Sequence, residues 1–185
     1  MTDPAFSSLE TERLVLRRFR HGDAPAFAAY RGEPAIARYQ SWDETYSLAD
    51  AERFIASLED AHPGEPGEWF QFAVAERAAD ALVGDCALHV DGRDPARAEI
   101  GYTLALAHHG MGYATEAVGA LVGYAFGTLG VEQLSATADE RNVASIRVVE
   151  RLGFAAVART HTTFKGERCV EETYELRQAD LRPGE

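Results

Sequence analysis

Apolar and polar positions alternate in blocks that change period along the chain. Leu14-Val15-Leu16, set between Arg13 and the pair Arg17-Arg18, reads as a short strand, and His21-Gly22-Asp23 turns the chain. Asp23 ahead of Pro25 predicts an N-cap and a short helix through Tyr30. Glu33-Pro34 restarts the chain toward Trp42. Ser47 and Asp50 have capping-box spacing. Behind them Leu48, Ala51, Phe54, Ile55 and Leu58 recur at helical spacing, which predicts an amphipathic helix to about Ala61. After the Pro63–Gly67 loop come three strand-like runs, Trp69–Ala75, Leu82–Val90 and Ala98–Leu106. Turns at Ala79-Asp80 and Asp91-Gly92 separate them, as in an antiparallel meander.

The helical period then returns. Val118, Leu121, Val122, Ala125, Phe126 and Leu129 lie on one face of a helix from Ala114 to Leu129, closed by Gly130. Leu134–Ala138 reads as a buried strand. Asp139 or Asn142 then caps a helix with Ile146, Val149 and Leu152 inward, ended by Gly153. Two final strands, Ala155–Thr163 and Cys169–Leu176, pair around Lys165-Gly166, and the tail from Gln178 to Glu185 reads as frayed. This order is packed most economically as an α/β fold with one mixed sheet and helices on its faces.

The chain has 185 residues, 46% hydrophobic and 26% charged, which suits one globular domain. Its net charge of −12 repels phosphate backbones, so no nucleic-acid partner is expected; a cationic ligand is mildly favoured. Cys86 and Cys169 form neither a disulfide framework nor a zinc knuckle. No apolar run has the roughly 18 residues of a membrane span. Met1–Glu10 lacks the basic and apolar regions of a signal peptide. A cytoplasmic protein without a membrane partner, monomeric or homodimeric, is the expectation.

The chemically informative stretch is Glu99-Ile100-Gly101-Tyr102-Thr103-Leu104 followed by His109-Gly110-Met111-Gly112-Tyr113-Ala114-Thr115. A strand runs into a glycine turn that opens a helix. Helix N-termini expose unpaired N–H groups and partial positive charge, and glycines let an anion approach the backbone. The construction suits a pyrophosphate, although a glycine pair before a helix is often only a turn. No GxxxxGK[ST] is present, and Thr115 stands where GxGxxG needs its third glycine.

His109-Gly110-Met111-Gly112-Tyr113-Ala114 resembles the acyl-CoA pyrophosphate loop of the GNAT acetyltransferases, Gln/Arg-x-x-Gly-x-Gly/Ala. Asp139–Ser145 and Arg151-Leu152-Gly153-Phe154 resemble the family's second CoA-contacting segment. Leu9–Arg17 resembles the opening of the RimJ/RimL-like branch, the ribosomal-protein N-terminal acetyltransferases. The resemblance spans residues 9–177, one N-acetyltransferase domain, with 178–185 as a tail. It implies the GNAT fold: a single, mostly antiparallel sheet with helices on both faces and a splayed acyl-CoA cleft. It departs from the family at His109, in place of Gln or Arg. It departs again at Val149, where many relatives carry a Tyr that protonates the departing thiolate.

The implied activity is transfer of an acetyl group from acetyl-CoA to a primary amine, by direct attack in a ternary complex and without a metal. A non-catalytic acyl-CoA-binding module on the same fold is the alternative. By resemblance the backbone of Leu104, Ala105 and Leu106 holds the pantetheine arm. The loop from His109 through Gly110, Met111, Gly112, Tyr113 and Ala114 to Thr115 then holds the pyrophosphate, and Asn142 adds a hydrogen bond. Such a transfer needs a base for the amine and an acid for the thiolate. Glu99 is the candidate base, or else an exposed strand residue paired with Arg97 or Arg93. Ser145 is the candidate acid, or else a first-turn serine bonded to backbone. His89, Tyr39, Trp42, Trp69, Phe70 and Tyr102 either line the acceptor pocket or belong to the core. If the acceptor is cationic, Glu33, Asp43, Glu44 and Glu167 are expected around its entrance.

Overall fold

The computed structural model describes residues 1–181. Its strands are β1 (Ser8–Glu10), β2 (Leu14–Arg17), β3 (Trp69–Glu76), β4 (Leu82–Val90), β5 (Arg97–Leu104), β6 (Gln133–Asp139), β7 (Ala155–Phe164) and β8 (Glu167–Arg177). Its helices are α1 (Ala24–Arg31), α2 (Pro34–Ala37), α3 (Leu48–Ser57), α4 (Tyr113–Gly127) and α5 (Val143–Arg151). The strands form one sheet in the order β1-β2-β3-β4-β5-β6-β8-β7. Every pairing is antiparallel except β5 with β6. No helix among the described residues is long and apolar enough to cross a membrane.

Strand alternation sorts the two faces. Phe70, Phe72, Cys86, Leu88, Ala98 and Ile100 point to one face and pack with Val118, Leu121, Ala125, Val148 and Val149 of α4 and α5. The other face carries Ala73, Asp85, His89, Glu99 and Gly101. Against part of it α1–α3 pack their own cluster of Phe27, Tyr30, Ile36, Ala51 and Ile55. At the centre of that cluster Arg31, almost wholly buried, lies over the rings of Trp42 (3.7 Å), Phe27 (4.1 Å), Phe54 (4.9 Å) and Tyr46 (5.3 Å). Its guanidinium is 3.7 Å from Asp85, which is equally buried and also accepts from the Tyr30 hydroxyl and the Gln71 amide.

Local signals and tertiary contacts disagree at several points. The capping box of Ser47 and Asp50 is present, but α3 stops at Ser57 instead of Ala61. Asp23 does not cap α1. Its carboxylate is taken by Arg17 at 2.7 and 3.0 Å and by the Arg20 N–H, a charge-assisted site that outcompetes a neutral helix N–H. β1 had no legible signal, because Ser-Leu-Glu is too short for a period. It forms because Leu9 and its neighbours find β2 beside them. β5 ends at Leu104, not Leu106, since the Ala105 N–H turns aside to the Val83 carbonyl and Leu106 opens a 3-10 turn. Of the expected tail, Gln178–Asp180 forms a 3-10 turn, and residues 182–185 lie outside the described residues.

The pairing of β5 with β6 positions the site. Only Arg97–Glu99 meet Gln133–Ser135, after which β5 continues alone against β4 and β6 against β8. The sheet therefore splits along a V. Gly84 of β4 holds one arm in place: a Cβ there would overlap the Thr103 carbonyl oxygen and the Leu104 side chain. Gly84→Ala should destabilise the protein by about 1–3 kcal/mol, the usual cost of overpacking. Denaturant unfolding would measure it, and a neutral result would mean that β5 yields there.

Candidate active site

Two cavities open from the V. The larger, about 560 Å³, runs between the end of β5, the glycine turn and the first turns of α4 and α5. In the turn Gly110 and Gly112 have φ of +76° and +79°, left-handed values that glycine adopts without strain. Gly112 is the N-cap of α4 and offers no side chain to the helix. The N–H groups of Tyr113, Ala114 and Thr115 accordingly have no acceptor among the described residues. Arg13 braces the turn from outside by donating to the Met111 carbonyl at 2.9 Å. Its ion pair with Glu116, at 2.6 Å, draws that first-turn carboxylate away from the helix end. The His109 Nε2–H donates to the Leu104 carbonyl at 2.9 Å, tying the turn to β5.

Of the residues expected to hold the donor, Leu104, Leu106, His109, Gly110, Gly112, Tyr113, Ala114, Thr115 and Asn142 line this cavity. Ala105 and Met111 do not. Ala105 gives its N–H to Val83 and packs toward the α1–α3 cluster, and Met111 faces solvent. Arg141, Arg147 and Arg151 line the cavity and were not foreseen. Arg141 is engaged with Asp139 and Glu167, whereas Arg147 and Arg151 make no ion pair among the described residues. The chain is acidic overall, yet this cavity collects cations beside an open helix N-terminus. The sequence signal was the four-residue spacing of Arg147 and Arg151 behind the capping Asn142.

The smaller cavity, about 130 Å³, lies within the V between Ile100–Tyr102 and Ala136–Asp139, with Phe164, Glu171 and Tyr174 as further walls. Lys165, at the tip of the β7–β8 hairpin, donates to the Ala37 carbonyl at 2.9 Å and to the Trp42 carbonyl, and pairs with Asp43 at 3.0 Å. The hairpin is thereby strapped to the α2 segment. Of the four acidic residues expected near an acceptor, Asp43 and Glu167 are neutralised by Lys165 and Arg141. None of the four lines the smaller cavity, whose carboxylates are Glu171 and Asp139.

Five residues line both cavities: Tyr39, Gln40, Tyr102, Asn142 and Ser145. Asn142 caps α5 by accepting the Ser145 N–H at 3.3 Å. The Tyr102 hydroxyl lies 2.8 Å from both the Ser145 carbonyl and Ser145 Oγ. Burial pushes the Tyr102 phenol up to about 12, with the Ser145 bond acting the other way. Val149, which also lines the smaller cavity, is buried behind them.

Glu99 is not brought to Ser145. The two side chains lie on opposite faces of β5. Glu99 sits half-buried opposite His89 and Ser135, with Trp69 stacked on His89 at 5.1 Å. Arg97 pairs with Glu175 instead, at 3.5 Å, so Glu99 makes no ion pair or hydrogen bond among the described residues. Burial pushes its carboxyl above the usual range, and His89 opposes that shift. The next residue on its face is Gly101, which has no side chain and forms part of the floor of the smaller cavity. Cys86 and Cys169 are both buried, and burial raises the Cys86 thiol, so it is held as an unreactive neutral group.

The split sheet thus carries an anion-ready helix N-terminus beside one cavity and a second, small cavity that shares five residues with it. Residues 13–155 match the family described as Acetyltransferase (GNAT) domain. The chain is 30% identical over 147 residues to a Bacillus licheniformis protein titled Uncharacterized N-acetyltransferase p20, covering 80% of this chain and 82% of that one. Among solved structures, a GNAT-family acetyltransferase from Bacillus anthracis superposes with a TM-score of 0.82 at 23% identity, covering 94% and 99% of the two chains. Mycobacterium smegmatis RimJ in complex with CoA-disulfide superposes with 0.80 at 19%, covering 92% and 84%. The structural likenesses establish the fold. With the family match and the p20 relative, the chain belongs to the GNAT acetyltransferases, N-acetyltransferases that use acetyl-CoA.

Proposed function

We propose that this enzyme transfers an acetyl group from acetyl-CoA to a primary amine by direct attack, and that it belongs with the RimJ/RimL-like branch. The observation that carries the reading is the meeting of the two cavities at Tyr102, Asn142 and Ser145. The free N–H groups of α4, Arg147 and Arg151 bind the pyrophosphate and phosphate of the donor. The thioester then lies in the V, where an amine entering the smaller cavity reaches its carbonyl carbon. Glu99 takes the amine proton through water above Gly101, and Ser145 gives a proton to the departing sulfur. The acceptor is an amine slender enough for the smaller cavity, and Glu171 favours one that is positively charged, such as a protein N-terminus or a small cationic amine.

A thiol-release assay with acetyl-CoA against peptides of different N-termini and small amines tests this. Release with none of them would remove the reading. The donor site has its own test. Saturating acetyl-CoA, at about 100 times its Kd, should add about 2.7 kcal/mol of stability to the wild type. Gly112→Val should lose most of that gain, because a β-branched residue resists a φ of +79° and crowds the N–H groups of α4. An undiminished thermal shift in the variant would place the donor elsewhere.

A further inference from the structure

On the proposed reading Ser145 must protonate a thiolate with a hydroxyl whose own proton is held tightly, and Val149 beside it is apolar. Donation from an isolated serine would leave an alkoxide, a poor outcome in a half-buried site. The structure supplies a phenol from another element. Tyr102 projects from β5 across the V, and its hydroxyl rests 2.8 Å from Ser145 Oγ and 2.8 Å from the Ser145 carbonyl. A phenol has one proton and can accept another. In the resting arrangement Tyr102 donates to the carbonyl and accepts from Ser145 Oγ. With both acceptors equally near, its proton can turn from the carbonyl to Oγ without movement of the backbone. The pair lies where the donor and acceptor cavities join, a position that among the described residues only Tyr39, Gln40 and Asn142 share.

The geometry points to Tyr102, on strand β5, as a positioning residue that sets the Ser145 hydroxyl and backs its proton donation. This rests on the reading of Ser145 as the acid. When the carbon–sulfur bond breaks, its electron pair stays on sulfur. The Ser145 Oγ–H proton goes to that sulfur, and the Tyr102 proton passes to Oγ. Water at the open mouth of the cleft returns a proton to Tyr102, matching the one removed from the amine. The phenol is protonated at neutral pH, because burial keeps it so, and is therefore always ready as a donor. Among the described residues the hydroxyl has no other partner: Cys86 lies across from it on β4, and Val149 on α5 is apolar.

The pair can be read without turnover. Free CoA bound to the enzyme presents its thiol to the same hydroxyls, and a donor facing sulfur stabilises the thiolate. Thiolate absorbance against pH should give a midpoint for bound CoA about one pH unit below that of free CoA. Tyr102→Phe and Ser145→Ala should each return it toward the free value, and the double variant should be no different from either single one. In turnover, Tyr102→Phe should lower kcat about tenfold with KM for acetyl-CoA unchanged. A Tyr102→Phe enzyme with the wild-type thiolate midpoint and kcat overturns the inference, as do single effects that multiply in the double variant. Wild-type enzyme that releases no thiol with any amine removes the parent reading and this one together. Wild-type turnover with Tyr102→Phe unchanged removes this one alone.

Discussion

Glu99→Gln should lower kcat roughly 100-fold, or about 2.7 kcal/mol in the barrier, while acetyl-CoA binds as before. The substitution keeps the shape of a half-buried side chain and takes away its basicity. The donor cavity does not include Glu99, so thermal stabilisation by acetyl-CoA should not change. The wild-type pH profile carries a second signature. Burial raises the Glu99 carboxyl, so its loss of a proton, and with it the rise in rate, comes above the ordinary carboxylate range near 4.3. The rate therefore falls as pH drops through that raised value, and the Gln variant should lack this acidic limb. His89→Ala should move the limb further up, since the imidazole opposite Glu99 favours the charged carboxylate. Identical profiles for wild type and Glu99→Gln would take Glu99 out of the reaction and leave substrate positioning as the main contribution to rate.

Arg31→Leu should cost about 3–5 kcal/mol of folding stability at pH 7, and so lower Tm by roughly 6–20 °C. Leucine fills part of the space inside the aromatic ring set, but it leaves the buried Asp85 carboxylate without its cation. The sign of the pH dependence separates this cause from simple repacking. Burial raises the Asp85 carboxyl in the folded protein, with Arg31 pulling it down. A raised folded value means that the group stabilises most below the unfolded value and loses that contribution as pH rises through the folded one. Removing Arg31 raises the folded value further, so the variant should regain stability on acidification toward pH 5 relative to wild type. Arg31→Leu/Asp85→Asn should recover much of the loss at pH 7. A single variant as stable as wild type at pH 7, with no recovery at lower pH, would mean that the ion pair contributes little to folding. The acetyl-transfer reading would be untouched by that result.

Apolar spacing, caps and turn residues together located most strands and helices, though not β1 or the short α2. The apolar positions from Val118 to Leu129 have helical spacing, and α4 presents Val118 through Phe126 to the core, but it ends at Gly127, two residues short of the expected Leu129, which is buried just beyond it. The glycine turn was equally legible. The left-handed φ of Gly110 and Gly112 is a demand that the residue type itself reveals. Element ends were less so, because they answer to partners. Asp23 serves Arg17 and Arg20 instead of its helix, and β5 stops where Ala105 meets Val83. Spacing along the chain contains no information about a residue 63 positions away, such as Asp80 bonding Arg17.

The site divides in the same way. The sequence by itself determined the local machinery: a strand, a glycine turn, an open helix N-terminus and an Asn-capped helix, because each depends on neighbours within a few residues. Tertiary structure decided everything that depends on faces and distance. Ser145 and Tyr102 meet across 43 positions of chain because β5 parts from β6 after Glu99. Glu99 and Tyr102 fall on opposite faces of one strand because side chains alternate there, which assigns them to different sides of the V. The arginines of the larger cavity gather on an acidic protein because α5 turns one face toward the cleft. Net charge is a sum over the whole chain, whereas a ligand meets only the residues that folding places beside it.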